Sequence, residues 1–435
     1  MRRVALLVVL LGATLALSGE RRESLIDERR ILAAEHPAID YWNAEPADAV
    51  ARFQQRLESG EVTLDYHRRF GYLPAVLRAL DIPVSSQVLV FSKTSFQASR
   101  IFPRIPRAIY HNEVAAVGWV RGGDVVEVAS LDPKLGVVFY TLDQVPSPRP
   151  RFESRTTACI SCHVGSITSG VPGLLVRSVH PDRSGVPARK PSFITDHRSP
   201  LSERWGGWYV SGEHGSQTHL GNTIYERGEA SSLFAGGDPS NVVDLSPFVN
   251  PNDYLSAHSD IVSLMILEHQ TRMTNLLVRL GYETRIAMSG KAADVGLSDL
   301  PERARTDIAN AAEEMLRYML FTDEALLEEP VRGSSDFAKE FAARGREDVQ
   351  GRSLHQLDLS RRLLRYPCSY LIYSEAFDAL PVVAKDHVYR RLWEILNGAD
   401  EVDGFGSLRV EDRAAIGEIL LDTKDGLPSY WRQGS

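Results

Sequence analysis

Between Pro146 and about Pro251 the chain loses every regular hydrophobic period. This stretch is rich in Gly, Pro, Ser, His and Arg, whereas the segments on both sides of it are patterned as strands or helices. So long an unpatterned run is uncommon in a compact domain unless it carries function or wraps something. It contains Cys159-Ile160-Ser161-Cys162-His163 and four further histidines, His180, His197, His214 and His219. The organisation of the chain therefore points to a site inside this run.

The flanking patterns set the expected fold. Val88-Leu89-Val90-Phe91 is a buried-strand type of run, and Val114 to Val120 with Val125 to Ala129, separated by Gly122-Gly123, reads as a hairpin. The turn Asp132-Pro133-Lys134 leads into a further strand over Val137 to Thr141. Short helices are expected at Pro46 to Leu57 and Leu73 to Leu80. On the C-terminal side, Ile261, Leu264, Met265, His269, Met273, Leu276 and Leu277 share one broad face of a helix over His258 to Leu280. Ser298-Asp299 ahead of Pro301 is a helix start, and Ile308 to Leu320 keeps the 3,4 spacing. Further helices are expected at 336–344, 354–364, 387–396 and 410–421. The expected class is α+β: a short antiparallel β-meander in the N-terminal part, an irregular site-bearing segment, then a mainly α-helical C-terminal half. The corresponding divisions are 1–18 (leader), 19–145, 146–255 and 256–435.

Composition narrows the function classes. Of 435 residues, 43% are hydrophobic and 24% charged, as in an ordinary globular chain. The formal charge is −8, which lacks the basic footprint of a nucleic-acid binder. Three cysteines cannot form a disulfide framework in a chain of this length. At the N-terminus, Arg2 and Arg3 precede an apolar run from Val4 to Leu17, and Ala16-Leu17-Ser18 supplies small residues before a cut at Gly19. That is the layout of a secretory signal peptide. The other reading, a retained anchor, wants about 20 apolar residues, and this run is shorter. No membrane span is expected after cleavage, and the location expected is periplasmic or secreted.

Residues 159–163 form CxxCH. Two thiols three positions apart can reach the two vinyl groups on one edge of a haem, and the following histidine then falls beneath the iron. With 3 cysteines and 12 histidines in the chain, the pattern is expected by chance about 0.0006 times. A structural zinc site needs four ligands, and the remaining cysteine, Cys368, has no CxxC partner. A thioredoxin-like pair belongs in a βαβ unit, which this region lacks.

Cys159, Cys162 and His163 resemble the haem-attachment site of c-type cytochromes. The flanking segments SVHPDRSG and RWGGWYVSGEHGSQTHLGN resemble those of large secreted haem-c proteins of bacteria. The resemblance implies one covalent haem (heme c) with its iron, thioether links at Cys159 and Cys162, and His163 as the proximal ligand. It implies no particular enzymatic activity. Small cytochromes c usually take the second ligand from a methionine some tens of residues after the motif. Here the next one is Met265, far downstream.

Candidates for the distal position are therefore His269, His214 and His219, with Met265 and Met273 on the same helix face as His269. The position could also be open. Trp205-Gly206-Gly207-Trp208 combines flat rings that could cover a porphyrin with glycines that allow close backbone approach. Arg155, Arg177, Arg183, Arg189 and Arg198 are candidate partners for haem propionates. Cys368 is expected to be buried and inert. No GxSxG, P-loop, Rossmann or HExxH pattern is present. The expectation is an exported monohaem electron carrier working with a redox partner protein. The alternatives are a peroxidase-like haem enzyme with an open distal site, and a haem-based sensor.

Overall fold

The computed structural model describes residues 33–188, 191–226, 229–232, 241–292, 294–398 and 404–432 of the chain. The leader expected over 1–18 lies outside them. Strands β1 (Val88–Val90), β2 (Arg107–His111), β3 (Ala115–Val120), β4 (Val125–Asp132), β5 (Gly136–Asp143) and β6 (Phe152–Ser154) pair in sequence order. A seventh strand, Trp208–Tyr209, pairs with β1 at the far edge, and every pairing in this sheet is antiparallel. Arg121-Gly122-Gly123-Asp124 turns the β3–β4 hairpin, with Gly122 at φ +69, a conformation that glycine adopts without steric cost.

The two faces of this sheet are covered differently. On one face, Ala108, Tyr110, Val117, Trp119, Val126 and Val128 are buried, together with Val138, Tyr140 and Leu142 of β5. They pack with Val50 and Phe53 of the helix Ala49–Glu58 and with Leu73, Val76 and Leu77 of the helix Leu73–Ala79. Asp48 caps the first of these helices, accepting from Val50 N at 2.8 Å, and also accepts from Tyr140 Oη at 2.5 Å, which ties the cap to the sheet. On the opposite face the flanks are covered: Val88, Val90 and Trp208 on one side, Val137, Phe139 and Thr141 of β5 on the other, are all buried. Between them Ile109, Ala116 and Ala129 on the central strands remain partly exposed.

The helix Ile261–Met288 crosses the second face. Asp260 caps it, accepting from Val262 N and Ser263 N. It is buried on nearly all sides, as expected of a helix lying inside the protein. Gln270 Nε2 donates to Asn112 O at the β2–β3 turn, and Tyr282 Oη donates to Leu135 O at the β4–β5 turn, so the helix lies across the ends of both hairpins. Helices Glu302–Met319, Val382–Leu396 and Val410–Thr423 extend this layer, burying Leu316, Met319, Leu392 and Leu420 in the same core as Leu264 and Met265.

The architecture corrects the expected class. This is a mixed α/β fold with a substantial seven-stranded antiparallel sheet and helices spread through the chain. The meander is not short, and the helices are not confined to the C-terminal half. Phe152–Ser154 and Trp208–Tyr209, both within the run expected to be irregular, are strands of the main sheet, and the helix Thr156–His163 lies there too. Residues 354–364, expected to be helical, instead form turns. Asp358 Oδ1 accepts from Ser360 N and Arg361 N, Leu359 has φ +57, and Leu357 bridges Leu364. A short acidic side chain that captures its own backbone competes with helix formation in this way.

Candidate functional site

The CxxCH residues occupy the helix Thr156–His163, which packs against β5. Arg155 N donates to Phe139 O and anchors its start, and the helix stops at Val164, where the backbone is extended. Cys159 and Cys162 are three apart and so lie on one helix face. Both thiols are free; Cys159 is half-buried and Cys162 exposed. Burial, followed by the Glu127 carboxylate, pushes the Cys159 thiol above its ordinary value.

His163 sits against the sheet, its ring 4.7 Å from that of Phe139. Its Nδ1 lies 2.9 Å from the carbonyl oxygen of Gly173. A carbonyl only accepts, so Nδ1 carries the proton and Nε2 presents a lone pair. Burial holds the imidazole below the usual histidine value, which favours its neutral form. Gly173 is itself fixed: Gly173 N donates back to His163 O, and Asn275 brackets Leu174 by accepting from its N at 3.0 Å and donating to its O at 2.7 Å. A Cβ at Gly173 would lie 2.2 Å from Asn275 Oδ1, so this close approach needs glycine.

The distal candidates are placed elsewhere. Trp208–Tyr209 lies five strand positions from β5, about 24 Å across the sheet. His214 and His219 follow that far strand. They are packed ring to ring at 4.7 Å, and His214 Nε2 accepts from Asn241 N. His269 is fully buried, with Nδ1 2.9 Å from His197 Nδ1 and Nε2 2.8 Å from Ser369 Oγ. Both of its ring nitrogens are thus engaged within the protein. Met265 and Met273 are buried in the hydrophobic core. The structure does not gather any of these around His163.

The aromatic and glycine-rich segment has a packing role. Trp205 and Trp208 are buried core residues, and a Cβ at Gly206 would meet Val179 O at 2.1 Å. The glycines bring backbone against backbone. Among the candidate arginines, Arg155 pairs with Glu153, Arg177 donates to Ser192, and Arg198 pairs with Asp196. Arg183 lies on a turn, and Arg189 falls outside the described residues. Cys368 is fully buried, which pushes its thiol up to about 12 and leaves it protonated and unreactive.

Sequence reasoning missed a buried polar cluster behind the motif. A cavity of about 260 Å³ opens beside it, bounded by Ser166, Leu174, Thr195, Arg198, Thr271 and Asn275. Thr195 Oγ1 donates to the fully buried Glu268, which also pairs with Arg204 at 3.2 Å. Burial pushes the Glu268 carboxyl up to about 7. Nothing local in the sequence links residues 195, 204 and 268.

Compared with family models, curated proteins and solved structures, the chain matches none. Among the described residues no group of three or more His, Cys, Asp or Glu is placed to hold a metal ion by itself, whereas a structural zinc takes four such ligands. No helix among them is long and apolar enough to cross a membrane. The donor set instead fits a covalently attached haem. Two free thiols share a helix face, and beside them stands an imidazole oriented through its other nitrogen by a backbone carbonyl, the usual way of fixing a metal-binding histidine.

Proposed function

We propose that the chain is an exported monohaem c-type protein that passes electrons to or from a partner protein in the periplasm or outside the cell. The observation that carries this reading is the Nδ1–H bond of His163 to Gly173 O, which leaves Nε2 as the ligand atom next to Cys159 and Cys162. Bound haem supplies a one-electron couple between ferric and ferrous iron. Cys159 and Cys162 would hold the vinyl edge, and His163 the iron. The exposed thiol of Cys162 favours transfer, because the edge attached there would lie at the surface, within short electron-tunnelling distance of a docked partner. The basic n-region and apolar run at the N-terminus support export.

The test is expression with its leader in a host that attaches haem c, followed by mass measurement after denaturation and by oxidised and reduced absorption spectra with and without carbon monoxide. One added haem, retained on denaturation and lost in Cys159→Ala/Cys162→Ala, is the expected result, and a low-spin spectrum unmoved by carbon monoxide keeps the electron-transfer reading. Absence of haem from the exported protein overturns the reading. A high-spin iron that binds carbon monoxide replaces electron transfer with the enzyme or sensor function.

A further inference from the structure

The cavity beside the motif has a charged wall and an apolar mouth. Thr271, Arg272 and Asn275 of the helix Ile261–Met288 form the wall, at spacings that put them on one helix face. Leu174 and Leu175, which follow the glycine that holds His163, form a second side, and Ile194 with Asp196 a third. Ile167, just after the motif, and Ile194 are exposed apolar side chains at its rim.

Several polar side chains on these walls are already spent inside the protein. Thr195 Oγ1 donates to Glu268, Thr271 Oγ1 donates to Glu268 O at 3.0 Å, and Asn275 uses its amide on Leu174. The two guanidiniums keep spare donors. Arg272 donates to Glu314 through Nη2 alone, and its Nε is buried with no hydrogen-bond partner among the described residues. Arg198 holds Asp196 through Nε and Nη2, at 3.0 and 2.7 Å, which leaves Nη1 without a partner among the described residues. Charge is left over as well. Glu314 serves both Arg272 and Arg279, and Asp196 serves Arg198, so three guanidiniums face two carboxylates. Arg204, deeper, has Glu268 of its own. Arg272 and Arg279 are less than a fifth exposed, where an uncompensated cation is more costly than in water.

We propose that this cavity binds a singly charged carboxylate carried on an apolar body, held by the spare donors of Arg272 and Arg198 and covered at the mouth by Ile167 and Ile194. One negative charge balances the excess, and hydrogen bonds from a guanidinium to a carboxylate are among the stronger ones. A doubly charged phosphate overshoots, because Asp196 and Glu314 already stand beside these arginines. At about 260 Å³ the space falls below the range of about 300–1,000 Å³ usual for drug-sized ligands, so the acid is small. Two sources supply such a group: a free small organic acid, or a propionate arm of the haem attached at Cys159 and Cys162. The second rests on the haem reading above, and the first stands without it.

The probe is benzoate, titrated by calorimetry into the exported parent protein and into Cys159→Ala/Cys162→Ala. Saturable binding of one benzoate to the haem-free variant is expected. In that background Arg272→Gln should weaken it by about tenfold, the worth of a charged hydrogen bond. Ile167→Asp should weaken it too, since it sets a like charge at an exposed position that the fold does not need. Inorganic phosphate should compete poorly. Benzoate bound by the haem-free variant but not by the haem-loaded parent identifies the propionate as the occupant, and equal binding by both identifies a free acid. Three results overturn the proposal: no saturable binding to the haem-free variant, phosphate bound more tightly than benzoate, or an affinity unmoved by both substitutions with circular dichroism unaltered. Absence of haem from the parent is a separate failure, which ends the haem reading and leaves the titration as the test of the cavity.

Discussion

The motif helix and the buried cluster around His269 each centre on a histidine, and their surroundings make opposite uses of the imidazole. His163 gives one nitrogen to a carbonyl and keeps the other as a lone pair near the surface. His269 has both nitrogens engaged, by His197 and Ser369, and stacks against Tyr318 and Phe321 at 5.4 and 4.5 Å. Burial lowers the proton affinity of both, so the neutral state alone does not separate a ligand from a structural histidine. The number of nitrogens the fold has already used does.

Exchanging the roles gives the largest expected contrast. His163→Ala should remove the proximal ligand and so change the iron absorption spectrum of the haem protein while costing about 1 kcal/mol of stability, the worth of one net hydrogen bond. His269→Ala should leave the spectrum intact yet destabilise the fold by roughly 2–4 kcal/mol, because it opens a cavity and strands His197 Nδ1 and Ser369 Oγ. Absorption spectra and urea unfolding of the two variants check this. A lost spectrum in His269→Ala would make that residue the distal ligand after all.

A smaller effect is expected from the support of His163. Gly173→Ala would set a methyl 2.2 Å from Asn275 Oδ1 and so displace the carbonyl that holds the ring. The cost should be about 1–3 kcal/mol, as for other overpacked sites, accompanied by a shifted reduction potential as the axial ligand loosens. Asn275→Leu removes the bracket on Leu174 and should move the potential in the same direction with a smaller loss of stability. Opposite shifts would mean that the carbonyl does not control the ring.

The reach of the sequence follows from how local each signal is. The hairpin around Gly122-Gly123 and the helix containing His269 are set by neighbouring residues, and both are present. The thiol pair and His163 are contiguous, so the candidate chemistry is legible in five letters. The strand Trp208–Tyr209 is not legible, because its register with Leu89 and Val90 is fixed only by a pairing more than a hundred residues away. Phe152–Ser154 is hidden for a different reason: its partner β5 lies only about ten residues earlier, but a run of three residues is too short to carry an alternating pattern of its own. The bond from His163 to Gly173 depends on a loop held by Asn275, a contact across 101 positions. The turn at Asp358 could have been read from Asp-Leu-Ser, since Asp before Ser readily bonds its own backbone.

The finest test sets the buried histidines against the buried carboxyls. Burial holds His111 at about 4 and His219 and His269 at about 3, against about 6.5 unfolded. Below pH 6.5 the unfolded chain gains protons that the native state does not, so their contribution to stability is present above 6.5 and lost as pH falls towards about 4 for His111 and about 3 for His219 and His269. Glu268 and Glu324, both raised to about 7 from 4.5, act in the opposite sense. Their contribution is present below 4.5 and lost as pH rises through 7. Between pH 4.5 and 6.5 the two sets oppose each other, and each group is worth about 1.4 kcal/mol per pH unit at most. His269→Gln removes one group that favours higher pH, so the rise of stability with pH should become shallower. Glu268→Gln removes one that favours lower pH, so the same rise should steepen. Urea midpoints measured from pH 4.5 to 6.5 on both variants check the pair, and changes of equal sign would show that the cluster titrates as one unit.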